Sequence, residues 1–177
     1  MKLLIAAIAC AALAAAAPAA SQTQPAPSAA AEISALMKAG KNDEALARAD
    51  ARLKDNPRDA QVRFMRGVIL TEQGKTVEAT AAFETLIQEY PELPEPYNNL
   101  AVLHAAQGRY ESAQRLLHQA LLAQPQYVTA YENLGDLYIS MAEQAYAKAL
   151  SLDANNRAAK TKLEATRELN TRIRAVR

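Results

Sequence analysis

Residues 94–127 read PEPYNNLAVLHAAQGRYESAQRLLHQALLAQPQY, and this stretch returns, altered but in register, along most of the chain. Its Gly108 is matched by Gly74 and Gly40 at steps of 34 residues, its Ala113 by Ala79 and Ala45, and its Pro125 by Pro91 and Pro57. Three residue types sharing one spacing define a repeat. A unit this short cannot bury its own apolar face, so consecutive units must stack into a solenoid, which offers extended surface for binding.

Within the unit the apolar spacing is helical. Tyr97, Leu100, Ala101 and His104 fall on one face of a first helix, Gln107-Gly108-Arg109 makes a turn, and Ala113, Leu116, Leu117, Ala120 and Leu121 line a second helix. Gly108 suits the left-handed position that closes a helix, and Pro125 cannot continue the one before it. The second unit repeats this with Val62, Met65, Gly67 and Ile69, the turn Gly74-Lys75, then Ala79, Phe83 and Leu86. Composition agrees with an all-α fold: 50% hydrophobic, only 5% aromatic, no tryptophan and many alanines, which suit closely packed helices better than sheets.

These residues carry a family resemblance. Tyr131-x2-Leu134-Gly135-x2-Tyr138 resembles the first-helix signature of the tetratricopeptide repeat, with tyrosine for tryptophan, and Ala79-x3-Phe83 with Pro91 resembles the second. The resemblance covers residues 26–156, in units 26–59, 60–93, 94–127 and a truncated 128–156, and the domain proper is expected at 29–156. It implies an α-solenoid of antiparallel helix hairpins in a right-handed superhelix. The first unit, with Ile33, Leu36, Gly40, Ala45, Ala49 and Pro57, lacks the aromatic, as befits a terminal repeat.

The fourth unit breaks the pattern. His104 and Ala113 lie nine positions apart, whereas their counterparts Tyr138 and Ala142 lie four apart, so five residues including the turn glycine are missing. Leu134, Tyr138, Met141, Ala145, Ala149 and Leu152 then share one stripe, predicting a single fused helix from near Thr129 to Leu152. Residues 157–177 lie outside the period. Ala159, Leu163, Leu169, Ile173 and Val176 form a narrow apolar stripe there, which predicts a capping helix from about Ala158 to Arg172 over the far half of the fused helix, followed by a tail. The alternative is that the exposed stripe pairs with a second copy as a homodimer.

At the other end, Lys2 followed by the apolar run Leu3–Ala17, Pro18 and small residues has the layout of a secretory signal peptide, residues 1–19, cut after Ala19. Residues 20–28 are polar and proline-bearing, and read as a flexible linker. Cys10 opens a second reading, a lipid-modified first residue, but Ala7-Ile8-Ala9 before it is a poor lipobox. Loss of the signal removes the sole cysteine, and with it any disulfide or thiolate chemistry. The expected location is therefore the periplasm, with a lipoprotein as the alternative.

No catalytic constellation stands out. His104 sits at a packing position and His118 on a solvated face, and two histidines without cysteine do not close a metal site. The five glycines form no phosphate loop. The acidic pairs Asp43-Glu44 and Glu92/Glu95 stand at helix starts, where they complement the helix dipole. The chain is expected to be no enzyme and to use neither cofactor nor metal.

The resemblance implies that first-helix residues line a concave groove. By position these are Gln61, Phe64, Met65 and Val68, then Asn98, Asn99 and Val102, then Glu132, Asn133 and Asp136. Phe64 reads either as an anchor for an apolar side chain or as packing against the first repeat. Asn98, Asn99 and Asn133 suit hydrogen bonding to an extended peptide backbone. Relatives that bind C-terminal carboxylates use lysine and arginine in the groove, and the matching positions here (Asn98, Asn99, Val102, Thr129, Asn133) hold no cation. The expected partner is a protein or peptide of the cell envelope, not nucleic acid. Net charge is +1, yet seven basic residues crowd between Arg157 and Arg177 against Glu164 and Glu168. That cluster reads as the solvated face of a cap or as a contact for acidic lipid headgroups or an acidic protein, membrane contact otherwise requiring a lipidated Cys10.

Overall fold

The structure, a computed structural model, describes residues 28–176, with the side chains of Arg174 and Val176 outside it. The expected signal peptide with Cys10, the linker as far as residue 27 and Arg177 lie outside the described residues. Among the described residues there are eight helices and no strand: α1 (Ala29–Lys38), α2 (Asn42–Asp55), α3 (Ala60–Glu72), α4 (Thr76–Glu89), α5 (Pro94–Ala106), α6 (Tyr110–Ala123), α7 (Val128–Leu152) and α8 (Arg157–Val176). They pack as successive hairpins, α1 with α2, α3 with α4, α5 with α6 and α7 with α8. Each hairpin rests on the next through α2–α3, α4–α5 and α6–α7. This is the all-α solenoid the period predicts.

The turns follow from one residue type. Gly40, Gly74 and Gly108 adopt φ of +70°, +71° and +73°. The residue after each, Lys41, Lys75 or Arg109, then donates its N–H to the carbonyl of Leu36, Leu70 or His104 at 3.0, 2.9 and 2.9 Å, the closing bond of a Schellman turn. A Cβ at Gly74 would meet nothing within 4 Å, so crowding plays no part there. Gly74→Ala is expected to cost about 1–2 kcal/mol from backbone strain alone, read by thermal or urea denaturation. Helix starts use side chains where the turns do not: Ser28 Oγ accepts from Ala31 N–H at 3.2 Å, Asp59 Oδ1 from Val62 N–H at 3.2 Å, and Asn156 Oδ1 from Ala159 N–H at 2.9 Å.

Packing between hairpins forms three apolar clusters in series. Ile33, Ala45, Ala49, Val62 and Ile69 join the first two hairpins. Leu70, Ala79, Phe83, Leu86, Leu100 and Leu103 join the second to the third. The last cluster joins the third hairpin to α7 through Tyr97, Ala101, Leu117, Ala130, Leu134 and Leu137. Exposed and part-buried ion pairs add links between elements, among them Arg48–Glu32 and Arg66–Asp50.

α7 is one unbroken helix of 25 residues, Val128–Leu152, matching the fused helix expected from the missing turn. Its predicted single stripe, however, divides into two faces. Leu134 is buried and Met141 packs on the last cluster, whereas Tyr138 is 46% exposed, Leu152 77% exposed and Ala145 exposed. The reason is partly rotational and partly axial: at 100° per residue Tyr138 turns about 60° away from Met141, whereas Leu152 lies five full turns beyond Leu134, on the same side but roughly 27 Å further along the helix and outside the last cluster. α8 does fold back along α7 as a cap. It extends past both predicted ends because Asn156 caps it one residue early and no glycine or proline follows Arg172. Ala159 and Leu163 are buried against α7, Glu143 accepts from Arg167 Nε at 3.2 Å and Asn170 Nδ2 at 2.6 Å, and the Lys162 ammonium lies 5.6 Å from the Tyr146 ring centre. Part of the basic C-terminal cluster is thus engaged on α7.

Candidate binding groove

The stacking brings the third hairpin, the start of α7 and the end of α8 around one cavity of about 400 Å³. Val102, Ala105 and Ala106 of α5 and Ile173 of α8 supply apolar wall, and Asn133, Asp136, Ser140 and Asn170 supply polar wall. Of the residues singled out by position in the repeat, Val102, Asn133 and Asp136 meet here.

The others lie elsewhere. Asn98 is buried, and its Oδ1 accepts from Asn133 Nδ2 at 2.7 Å, a link between α5 and α7 that fixes the cavity floor. Asn99 turns back on its own helix, donating from Nδ2 to the Glu95 carbonyl at 2.9 Å. Phe64 is half-buried with its ring 5.9 Å from that of Phe83, so it packs on the second cluster, which Leu46 of the first hairpin also joins. Met65 packs on the first cluster and Val68 on the second, while Gln61 and Glu132 are exposed outside the cavity. Ser140, Asn170 and Ile173 were not foreseen as lining residues. Their repeat positions carry no signal, because the contact of α8 with this end of the groove exists only once the fourth turn is lost.

His104 is buried within the third hairpin, one residue before Ala105 of the cavity wall. It is 7% exposed, its Nδ1 lies 2.7 Å from Ser112 Oγ, and its Nε2 is buried without a protein partner. Burial holds the imidazole below its ordinary value of 6.5, assisted by the Arg109 and Arg115 guanidiniums and opposed by Glu84. The unfolded chain therefore takes up a proton near pH 6.5 that the folded chain refuses, and stability is full above that pH and declines as pH falls through it. Melting at pH 5 and pH 8 should show the decline in the wild type and its loss in His104→Leu, leucine being the residue that Leu70 supplies at the same place one unit earlier. His118, by contrast, is exposed on α6. Beside the last apolar cluster, burial raises the Tyr127 pKa above its ordinary 10.0, with Glu95 acting in the same direction.

Among the described residues no group of three histidine, cysteine, aspartate or glutamate side chains could hold a metal ion, and no helix is long and apolar enough to cross a membrane. What the cavity offers is shape, an apolar wall and hydrogen-bonding groups.

Comparison with known proteins agrees with this architecture. Two models of the tetratricopeptide repeat match, one over residues 30–94 and one over residues 70–137. No curated protein matches the sequence. Among solved structures, YrrB, a tetratricopeptide repeat protein with an unusual peptide-binding site, superposes with a TM-score of 0.56 at 23% identity, covering 60% of this chain and 55% of its own. The chain thus spans little more than half of YrrB. MamA gives 0.56 at 20% identity over 77% of this chain and 82% of its own. The first repeat domain of Spaghetti (RPAP3), bound to the HSP90 peptide SRMEEVD, gives 0.59 at 17% identity over 64% and 90%. At these identities the likeness speaks to the fold.

Proposed function

Since the chain belongs to the tetratricopeptide repeat family, we propose that it is a non-catalytic interaction scaffold of the bacterial cell envelope, holding a protein or peptide segment in the cavity between α5, α7 and α8. The observation that carries this reading is the cavity itself, an apolar wall beside a cluster of amide, hydroxyl and carboxylate groups on rigid helices, which suits a short extended segment with one apolar side chain. Peptide binding by YrrB and by the RPAP3 domain supports the reading by analogy of fold. The ligand differs in charge from an acidic tail such as SRMEEVD. No lysine or arginine lines the cavity among the described residues, so an acidic tail of that kind finds no cationic clamp there.

Location is part of the proposal and rests on the sequence: residues 1–19 direct export, and the mature chain begins at Ala20 in the periplasm. Mass spectrometry of the mature N-terminus checks it; an acylated Cys10 would make the protein an anchored assembly subunit instead. The groove is tested by pull-down from envelope extract. Val102→Glu should lose a partner that the wild type and Val77→Glu both retain, Val77 being 80% exposed on α4 and away from the cavity. An identical bound set for all three would refute the groove.

A further inference from the structure

Gly67 of α3 lies beneath Phe83 of α4 so closely that a Cβ at Gly67 would stand 2.6 Å from Phe83 Cε1. Gly135 occupies the same place two periods later, yet a Cβ there would meet nothing within 4 Å. An exposed glycine in the middle of a helix costs roughly 1 kcal/mol relative to alanine, and no contact among the described residues accounts for it. The residue that answers to Phe83 is Tyr146, since Ala142-x3-Tyr146 reproduces Ala79-x3-Phe83 after the five missing positions. It lies eleven residues along the same helix, roughly 16 Å from Gly135, and cannot fold back.

The whole face around Gly135 lacks its cover. Tyr131 is 57% exposed, Tyr138 46% and Leu122 of α6 73%. With His118, Leu121 and Leu134 they line a groove of about 640 Å³ between α6 and α7, the seat that the second helix of a fourth hairpin would fill. From Tyr131 the same side of α7 continues through Gly135, Tyr138, Ala142, Ala145, Ala149 and Leu152, in alternating steps of four and three residues without a charge. That spacing is the seam of paired helices. α8 runs along another side of α7, where Arg167 and Asn170 meet Glu143, and reaches the edge of this face only where the Lys162 ammonium lies over the Tyr146 ring.

We propose that α7 pairs antiparallel with α7 of a second copy, so that residues 142–152 of each chain fill the α6–α7 groove of the other and complete its fourth hairpin in trans. The twofold axis passes near Ser140 and Met141, which sets Tyr146 of one copy over Gly135 of the other and places the alanines of the far half against Tyr131 and Tyr138. The interface is self-complementary, a closed isologous contact. A connection too short to turn back forces the exchange, and neither copy has to release α8. The dimer carries two cavities, so the scaffold is bivalent whatever each cavity holds.

Light scattering of the full chain at micromolar concentration tests this. The wild type should have the mass of a dimer. Gly135→Glu, whose side chain opens on solvent in a single copy, should raise the dissociation constant at least about tenfold while keeping the helical circular dichroism. In a Cys10→Ser background, Gly135→Cys with Tyr146→Cys should form a disulfide between chains on oxidation, since the distance along one helix forbids it within a chain. A monomeric wild type, a dimer undisturbed by Gly135→Glu, or the absence of that cross-link would each overturn the proposal.

Discussion

Phe83→Ala is expected to remove about 3–5 kcal/mol of stability, the largest loss for any truncation to alanine among the described residues. Phe83 is fully buried, the largest such side chain, and joins the second hairpin to the third. The site also explains a coupling between positions. Gly67→Ala should cost roughly 1–3 kcal/mol by itself, because the new methyl group meets the Phe83 ring at 2.6 Å. Gly67→Ala combined with Phe83→Leu should recover much of that loss, since the third hairpin holds Ala101 and Leu117 at the two matching places and packs them both buried. Urea denaturation of the two single variants and the double variant gives the coupling energy directly. Strict additivity would mean that the two positions do not share one contact.

Inserting Ala-Ala-Gln-Gly-Arg, the sequence of residues 105–109, after Tyr138 should break α7 into two helices and restore a fourth hairpin. The insertion returns the nine-residue spacing between Tyr138 and Ala142 and puts a glycine where Gly108 stands in the third unit. Tyr131 and Tyr138 would then be covered by Ala142, Tyr146 and Ala149 of their own chain. Burying the exposed half of each ring contributes roughly 1.5–3 kcal/mol in sum, which offsets the ordering of a five-residue turn. The expected outcome is a monomer in which Tyr131 and Tyr138 stay protected from chemical nitration at any dilution, whereas the wild type loses that protection as its copies dissociate. An insertion variant that keeps a continuous α7, remains a dimer and exposes both tyrosines on dilution as the wild type does would show that the turn is not what the fourth unit lacks.

The fold was legible because the features that decide it are local and repeated. Each turn needs a left-handed residue, and Gly40, Gly74 and Gly108 announce it three times. The missing turn was legible for the same reason, as a gap in an otherwise regular count. The candidate site was harder to read. Asn98 and Asn99 occupy groove positions in the repeat, but Asn98 is held by Asn133 and Asn99 by the Glu95 carbonyl, and which of these an asparagine does depends on neighbours that spacing does not encode. Phe64 likewise meets Phe83, a contact set by the angle between α3 and α4. Ile173 and Asn170 reach the cavity only through the tertiary path of α8. The apolar stripe of α7 was visible in sequence as a single face. Its division between α6 and open solvent required the rotation of α7 to be known.

The central claim is that the cavity between α5, α7 and α8 binds a polypeptide segment. Amide chemical-shift mapping of the isotopically labelled chain tests it, using a peptide selected from a random library on the immobilised protein. The account predicts shifts concentrated at Val102, Ala105, Asn133, Ser140 and Asn170, and their loss in Val102→Glu. Shifts confined to the outer faces of α2, α4 and α6, with those five residues unmoved, would contradict it.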